Sequence, residues 1–286
     1  MPRLRFDLQS HSTHSDGVLE PAEVVRRAAA AGIEVLALSD HDTVDGVEEA
    51  LTAASEAGIV LVPAVEISAV DPPYEDLHLL GYGVDHRDPA LLATLEDYRA
   101  DRLTRADRMA AALRELGWGM DEALLDVRRA AGKPVGRPHL ADAVVADPAN
   151  AARLADEGLE TATDLLVAYL IPGTPAYRGR ERPTVAEAIA TIHAAGGLAV
   201  WAHPFWDIED AGEVVAALDR FCGYGLDGVE AFYVTHSEEQ VRLLHDHCAQ
   251  RGLQTTGSSD FHGPDHPRFA AFGAHEAYDL VPTFRF

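Results

Sequence analysis

The chain has 286 residues, 47% of them hydrophobic and 24% charged, which is the make-up of a globular protein large enough for one α/β domain or a domain with an insertion. A formal net charge of −24 argues against broad, sequence-independent binding to a nucleic-acid backbone, which needs a basic surface, and leaves room for a local basic pocket. Two cysteines, Cys222 and Cys248, cannot make a disulfide framework, and with no signal-type apolar stretch or apolar run of spanning length the expectation is a cytoplasmic protein with buried free thiols, bound to neither membrane nor DNA duplex.

In chain order, Leu4, Phe6 and Leu8 predict a strand that runs out into Asp7, Gln9, His11, His14 and Asp16. Pro21 to Ala31 predicts a helix: Pro21 suits the first turn, Val24, Val25 and Ala28 share a face, and Gly32 stops it. Ile33–Leu38 predicts a strand leading into Asp40-His41, Thr43–Ala57 a helix closed by Gly58, and Ile59–Val65 a strand delivering Glu66. Asp76–Tyr82 predicts a fourth strand with His78 inside it. Strands alternating with helices indicate βα units and a largely parallel sheet or barrel.

That rhythm breaks from about Asp88 to Leu170, where the pattern is helical throughout and opens with a long stretch from Pro89 to Gly117. It resumes with helix Thr184–Ala195, strand Leu198–Ala202, helix Gly212–Phe221, strand Gly228–Phe232, helix Glu238–Arg251 and strand Leu253–Thr256. The tail after Gly273 is apolar enough to pack on the body. The division expected is barrel at 1–87, helical insertion at 88–175 and barrel again at 176–286.

Strand ends that terminate in imidazoles and carboxylates are where an α/β fold places chemistry. Divalent Zn, Mn or Fe needs neutral imidazole nitrogens and carboxylate oxygens at about 2.0–2.2 Å, converging from separate parts of the fold. Two such ions about 3.5–4 Å apart make a bridging water acidic enough to attack phosphorus and neutralise the leaving oxygen. His11, Asp16, His41, Glu66, His78, His203, Asp260 and His262 supply the residue types. The other histidines lack that placement, and His193, His245 and His247 read as helix-surface residues.

The segments Asp7-Leu8-Gln9-Ser10-His11 with Ser15-Asp16-Gly17, Ser39-Asp40-His41-Asp42-Thr43, Glu66-Ile67-Ser68, His78-Leu79-Leu80-Gly81-Tyr82, Gly136-Arg137-Pro138-His139, Ala202-His203-Pro204 and Ser259-Asp260-Phe261-His262-Gly263 resemble, in that order, a PHP-domain phosphoesterase. More narrowly they are similar to the stand-alone bacterial branch of nucleoside 3′,5′-bisphosphate phosphatases and 5′-to-3′ oligoribonucleases. The resemblance implies a distorted (β/α)7 barrel with the helical insertion capping its mouth, and two or three divalent metals. One metal would take Gln9, His11, Glu66 and Asp260; a second Glu66, His78 and His203; a third Asp16, His41 and His262. Gln9 departs from the family, which has a histidine there. A carboxamide oxygen is a poorer ligand for these metals than imidazole, so binding at that position is expected to be weakened or lost rather than rescued by His14 as a substitute.

On the substrate side, Arg137 matches the arginine expected to grip phosphate, with His139 beside it as substrate group or helix cap. Arg178, in the run Tyr177-Arg178-Gly179-Arg180-Glu181-Arg182, is the second cation for an anion, bidentate arginine being suited to phosphate. Trp206, and less so Phe205 and Tyr233, offer rings for a nucleobase. The expected reaction is hydrolysis of a phosphomonoester of a nucleotide or short RNA, with Asp260 and His203 placed to manage protons and Arg137 to stabilise charge. Two alternatives are a PHP phosphatase for a non-nucleotide such as histidinol phosphate, and a weakened metal-binding scaffold or sensor, which Gln9 favours.

Overall fold

Seven strands line up in sequence order: β1 (Phe6–Asp7), β2 (Val35–Leu38), β3 (Val60–Asp71), β4 (Tyr74–Tyr82), β5 (Leu198–Trp201), β6 (Gly228–Tyr233) and β7 (Gln254–Ser258). The structure is a computed structural model that describes residues 5–130, 135–179 and 182–285; Leu4 of the first expected strand and Arg180 of the arginine run lie outside it. Strands β1 to β3 pair in parallel, as do β5 to β7. The two ends of the row then meet. Leu8 N–H donates to Gly257 O at 3.2 Å and His11 N–H to Phe261 O at 2.8 Å, with Ser10 bridging Phe261 in parallel.

The sheet departs from the expected parallel pattern at one strand. β4 runs antiparallel to both β3 and β5. The physical reason is the missing crossover: after Asp71 the chain turns back at once through Pro72-Pro73 and pairs with itself, Ser68 opposite His78 and Glu66 opposite Leu80. β3 therefore does not end at Val65. It continues to Asp71, and Glu66 lies inside the strand rather than at its end.

Buried side chains Leu8, Ala37, Val62, Ala64, Leu80, Tyr82, Val200 and Ala202, contributed by or adjoining the first five strands, form one apolar cluster, and the Tyr82 hydroxyl donates to Leu8 O at 2.8 Å. Each large apolar side chain buried there contributes about 1.5–3 kcal/mol. Helices α1 (Pro21–Ala30) and α2 (Val47–Ala57) lay Val24, Val25, Ala28, Ala50, Ala53 and Ala54 against Ile33, Leu36 and Leu38. α2 begins four residues after the expected Thr43, because Thr43 Oγ1 accepts from Asp45 N–H at 3.1 Å and closes a turn.

The helical stretch comprises α3 (Pro89–Glu115), α4 (Glu122–Ala130), α5 (Arg137–Ala146), α6 (Ala151–Glu157) and α7 (Ala162–Tyr169). Residues 97–182 form a compact unit separate from 5–96 with 183–285. It has its own core of Met109, Leu113, Trp118, Leu125, Leu140, Val144, Leu165 and Leu170. The first turns of α3, with buried Leu91 and Leu95, belong to the other unit. α8 (Val185–Ala194), the one-turn α9 (Pro204–Asp207), α10 (Ala211–Tyr224) and α11 (Glu238–Arg251) complete the fold. Among the described residues no helix is long and apolar enough to cross a membrane. Both cysteines are free; Cys248 is buried, but Cys222 only half so, since it faces outward from the last turns of α10.

One buried histidine, His236, and one half-buried, His275, should make the fold acid-labile. Burial pulls the His236 and His275 imidazoles down to about 4; His236 Nδ1 bonds Ala231 O at 3.0 Å, and the His275 ring lies 4.9 Å from that of Phe6, tilted by 36°. Between pH 6.5 and 4 the unfolded chain binds these protons and the folded chain does not, so stability is present above that window and is lost as pH falls through it. Each histidine should cost about 2 kcal/mol between pH 7 and 5. Urea titrations of the wild type and His275→Gln at both pH values check this: the drop should be smaller in the variant, and equal drops would contradict it.

Candidate metal centre

The loops that follow the strands are pinned to one another by buried carboxylates. Asp40, after β2, accepts from Ser12 N–H at 2.7 Å, Ser12 Oγ at 2.7 Å and Ser15 Oγ at 2.6 Å, which fixes the loop carrying His11 and Asp16. Asp7 accepts from Ser259 N–H at 2.9 Å, Ser259 Oγ at 2.5 Å and Gly273 N–H at 2.7 Å, beside Asp260. Asp42 takes Ser68 N–H at 3.2 Å, two residues beyond Glu66. Glu230 takes His203 N–H at 3.0 Å and Ser258 Oγ at 2.6 Å. Three non-glycine residues in the left-handed region, Asp42 (φ 53°), His203 (φ 27°) and Asp260 (φ 54°), sit in this network. Such backbones cost about 1–3 kcal/mol each and persist only where the surroundings hold them.

What the network holds is a knot of imidazoles around Glu66. Because Glu66 opposes Leu80, and His78 opposes Ser68, Glu66 and His78 are diagonal neighbours on one face of the β3–β4 pair. Glu66 Oε1 lies 2.8 Å from His78 Nδ1 and 3.2 Å from His203 Nε2. Its other oxygen, Oε2, lies 3.1 Å from His11 Nε2 and 3.5 Å from His41 Nδ1. His11 Nε2 is also 3.0 Å from Asp260 Oδ1. Asp16, half-exposed, stands 3.5 Å from both His11 Nδ1 and His41 Nε2, and 3.4 Å from His262 Nε2.

These separations match the spacing of donors around a shared cation: with bonds of about 2.1 Å, neighbouring ligands on an octahedron or tetrahedron lie about 3.0–3.4 Å apart. His203 Nε2 and Glu66 Oε1 are within hydrogen-bond geometry, but the contacts around Glu66 Oε2 are not. His11 Nε2, His41 Nδ1, Glu66 Oε2 and Asp260 Oδ1 are all buried without a hydrogen-bond partner despite their proximity. Buried polar atoms left this way are costly unless a cation answers them. Three donor groups close up, namely His11, Glu66 and Asp260; His41, Glu66 and His78; and His11, Asp16, His41 and His262. The residues fit divalent ions.

Electrostatics point the same way. Burial would lower the His203 imidazole, but its contact with Glu66 pushes it up to about 10. His11 is likewise held well above its ordinary value, contact with Asp260 and Glu66 outweighing burial. His41, at the same Glu66, is pulled down to about 4 because burial wins there. His262 Nδ1–H donates to Asp260 O at 2.7 Å, which leaves Nε2, 3.4 Å from Asp16, as the ring nitrogen that would serve a cation.

The PHP domain family matches residues 7–116. The "5′-3′ exoribonuclease" of Haemophilus influenzae is 35% identical over 91% of this chain and 90% of its own. The "3′,5′-nucleoside bisphosphate phosphatase" of Chromobacterium violaceum is 35% identical over 91% of this chain and 87% of its own. A solved structure of a proposed metal-dependent phosphoesterase from Bifidobacterium adolescentis is 30% identical, with a TM-score of 0.76 over 96% of this chain and 92% of that one. This chain belongs to the PHP family. It is a metal-dependent phosphoesterase, a hydrolase of phosphoric ester bonds on the seven-strand barrel-like sheet of that family.

Within this PHP centre, His41 completes the close group with Glu66 and His78, where the resemblance assigned His203. His203 nevertheless reaches the same Glu66 oxygen and lies 3.3 Å from His78. Behind it Asp207 Oδ2 is 3.8 Å from Nδ1, beyond hydrogen-bond reach. His14 is exposed, and its backbone N–H donates to Ser12 Oγ at 3.2 Å. Tyr233 is not a surface for a base. It is 2% exposed, and its hydroxyl donates to Asp260 Oδ2 at 2.9 Å. Phe205 is half-buried, 5.5 Å edge-on to His236, and Trp206 stands on α9 rather than in a loop. In the helical unit Arg137 opens α5, His139 Nδ1 accepts from Gly136 N–H at 3.0 Å as a cap, and Arg178 Nη1 donates to Tyr177 O at 2.7 Å and Pro175 O at 3.2 Å.

Gln9 is wholly buried, and its Nε2 has no hydrogen-bond partner. Ser258 Oγ lies 3.5 Å from Oε1, yet its single proton goes to Glu230 at 2.6 Å. The PHP pattern puts imidazole here. Gln9→His should therefore raise metal affinity at this position at least about tenfold. Metal counted by mass spectrometry after dialysis checks it, and an unchanged content would defeat the weakened-site reading.

Proposed function

We propose that the protein removes phosphate from a nucleotide, a 3′,5′-bisphosphonucleotide or the end of a short oligoribonucleotide, using two or three Mn, Zn or Fe ions. The observation that carries this is Glu66, whose two oxygens face two different pairs of imidazoles, as a carboxylate shared between two cations would. The names of its relatives, a 5′-3′ exoribonuclease and a 3′,5′-nucleoside bisphosphate phosphatase, support the nucleotide.

His11, His41, Glu66, His78, His203, Asp260, Asp16 and His262 would hold the ions, with Gln9 weak. Bound there, divalent ions make water acidic and neutralise charge on the phosphoryl oxygens. The protein's own groups do the rest. Tyr233 O–H holds one Asp260 oxygen at 2.9 Å, so the other faces His11. Glu230 fixes the His203 backbone, so its ring keeps its approach to Glu66. Asp260 and His203 are the proposed proton-handling groups, while Arg137, with His139 and Arg178, grips the phosphate. The two free cysteines support a cytoplasmic setting.

The test is a panel of phosphoesters with metal-loaded protein. Turnover of adenosine 3′,5′-bisphosphate or 5′-phosphorylated short RNA is expected to exceed that of histidinol phosphate. Preference for the amino-alcohol ester would overturn the nucleotide reading.

A further inference from the structure

The tail after Gly273 packs on the barrel at the strand ends away from the metal centre. Thr283 N–H donates to Thr255 O at 3.1 Å, Arg285 N–H donates to Gln254 Oε1 at 2.6 Å, and the Phe284 ring meets Phe6 edge-on at 4.8 Å. Arg5 and Phe6 stand at the start of β1, Ile33 stands before β2, and Gln254 and Thr255 open β7, whereas His11, His41 and Asp260 follow the opposite ends of those strands. The tail does not fill the space it covers. A cavity of about 390 Å³ remains, with Arg5, Phe6, Ile33, His275, Val281 and Phe284 in its walls. Small-molecule sites run from about 300 to 1,000 Å³ and set a few polar groups in apolar walls.

Two polar groups interrupt these walls, and neither is answered by the protein. A Cβ at Gly32 would lie 2.7 Å from Arg5 Nη1, so the missing side chain leaves the guanidinium its place. Glu34 is held by the Arg5 backbone, whose N–H donates to Oε2 at 2.9 Å, and the guanidinium makes no carboxylate pair among the described residues. In a chain with 47 acidic and 23 basic residues, exposed arginines such as Arg26, Arg87 and Arg242 do pair with glutamates. The second group is His275, whose Nδ1 is buried without a hydrogen-bond partner. A buried polar atom left so is costly until something meets it. Val281, also in the wall, is 64% exposed, an apolar surface that an occupant would cover.

We propose that this cavity is a second binding site, separate from the metal centre, for a small carboxylate with an apolar ring as its body. The ring lies against Phe6, Ile33, Val281 and Phe284, and the carboxylate takes the Arg5 fork with His275 Nδ1–H as a further donor. The planar guanidinium matches a carboxylate with two parallel bonds. A single negative charge suits these walls better than the two of a phosphate, because each charge taken out of water is costly. The site is independent of which ester the metal centre hydrolyses.

Phenylacetate, phenylacetamide and acetate are the probes, titrated by calorimetry into the full-length, Mn-loaded protein. Phenylacetate should bind most tightly. Phenylacetamide, which lacks the charge, should bind about 10- to 100-fold more weakly, and acetate, which lacks the ring, should be weaker still. Arg5→Ala should weaken phenylacetate about 10- to 100-fold and leave phenylacetamide within about twofold. Ala277→Leu, which fills part of the cavity, should weaken phenylacetate and phenylacetamide alike. Arg5 is exposed and Ala277 half-buried, so melting temperatures close to wild type are expected of both variants. Equal affinity for the acid and the amide, or no binding of phenylacetate to the wild type, overturns the site. Binding of phenylacetate that neither Arg5→Ala nor Ala277→Leu alters would place the carboxylate on the ions of the metal centre and overturns it as well. None of these outcomes bears on the nucleotide reading.

Discussion

Glu66→Gln should lower kcat/KM by at least about 10³-fold and remove at least one bound ion. The substitution keeps shape and volume and changes only chemistry. It replaces one of the two anionic oxygens by an NH2 group, and that group must face either His78 and His203 or His11 and His41. Neither pair can accept it while also turning lone pairs toward a cation. A metal that polarises phosphoryl oxygens contributes several kcal/mol to the transition state, and each 1.4 kcal/mol is about tenfold in rate. Metal analysis of the dialysed variant, alongside kinetics at saturating Mn, checks both halves of the expectation. A variant that keeps its full metal content and turns over within tenfold of wild type would show that Glu66 does not bridge.

Much of the centre can be read from residue order because the fold collects strand ends. His11, Asp16, His41, His203, Asp260 and His262 each follow a strand, and parallel pairing brings those ends to one side. His78 and Glu66 come together by a different route, the antiparallel β3–β4 pair, which periodicity could not foresee. A signal was present: Val65, Ile67 and Val70 continue the β-branched run past Glu66 to the turn at Pro72-Pro73.

The pinning carboxylates were not legible. Asp7, Asp40, Asp42 and Glu230 are the same residue types as the candidate ligands and lie within a few positions of them, so type and spacing cannot separate an acid that faces an ion from one that takes backbone N–H groups. Burial does not separate them either, since Glu66 and Asp260 are buried as well; what decides it is which neighbouring loop's N–H and hydroxyl groups each acid meets. Tyr233 shows the same limit from the other side: its position just after an expected strand reads as an open ring, yet its hydroxyl is committed to Asp260.

Gly17→Ala should reduce kcat/KM about 100-fold although the residue touches no donor group. A Cβ at Gly17 would lie 2.3 Å from His11 O and 2.5 Å from its carbonyl carbon, against an ordinary contact near 3.4 Å. The obstacle is backbone, so it cannot rotate away; something must move by about 1 Å, and displacements of that size in a catalytic constellation cost about 10²-fold. The loop offers little slack, because Ser12 and Ser15 are held on Asp40, Thr13 N–H donates to Leu19 O at 2.9 Å and Val18 N–H to His262 O at 2.9 Å. The displaced residues are then His11 and Asp16, whose 3.5 Å approach belongs to the group shared with His41 and His262. A lowered metal stoichiometry with a cooperative thermal transition retained would place the damage at the loop. Activity and metal content both within twofold of wild type would mean that the Ser12–Gly17 loop yields more readily than its hydrogen bonds imply.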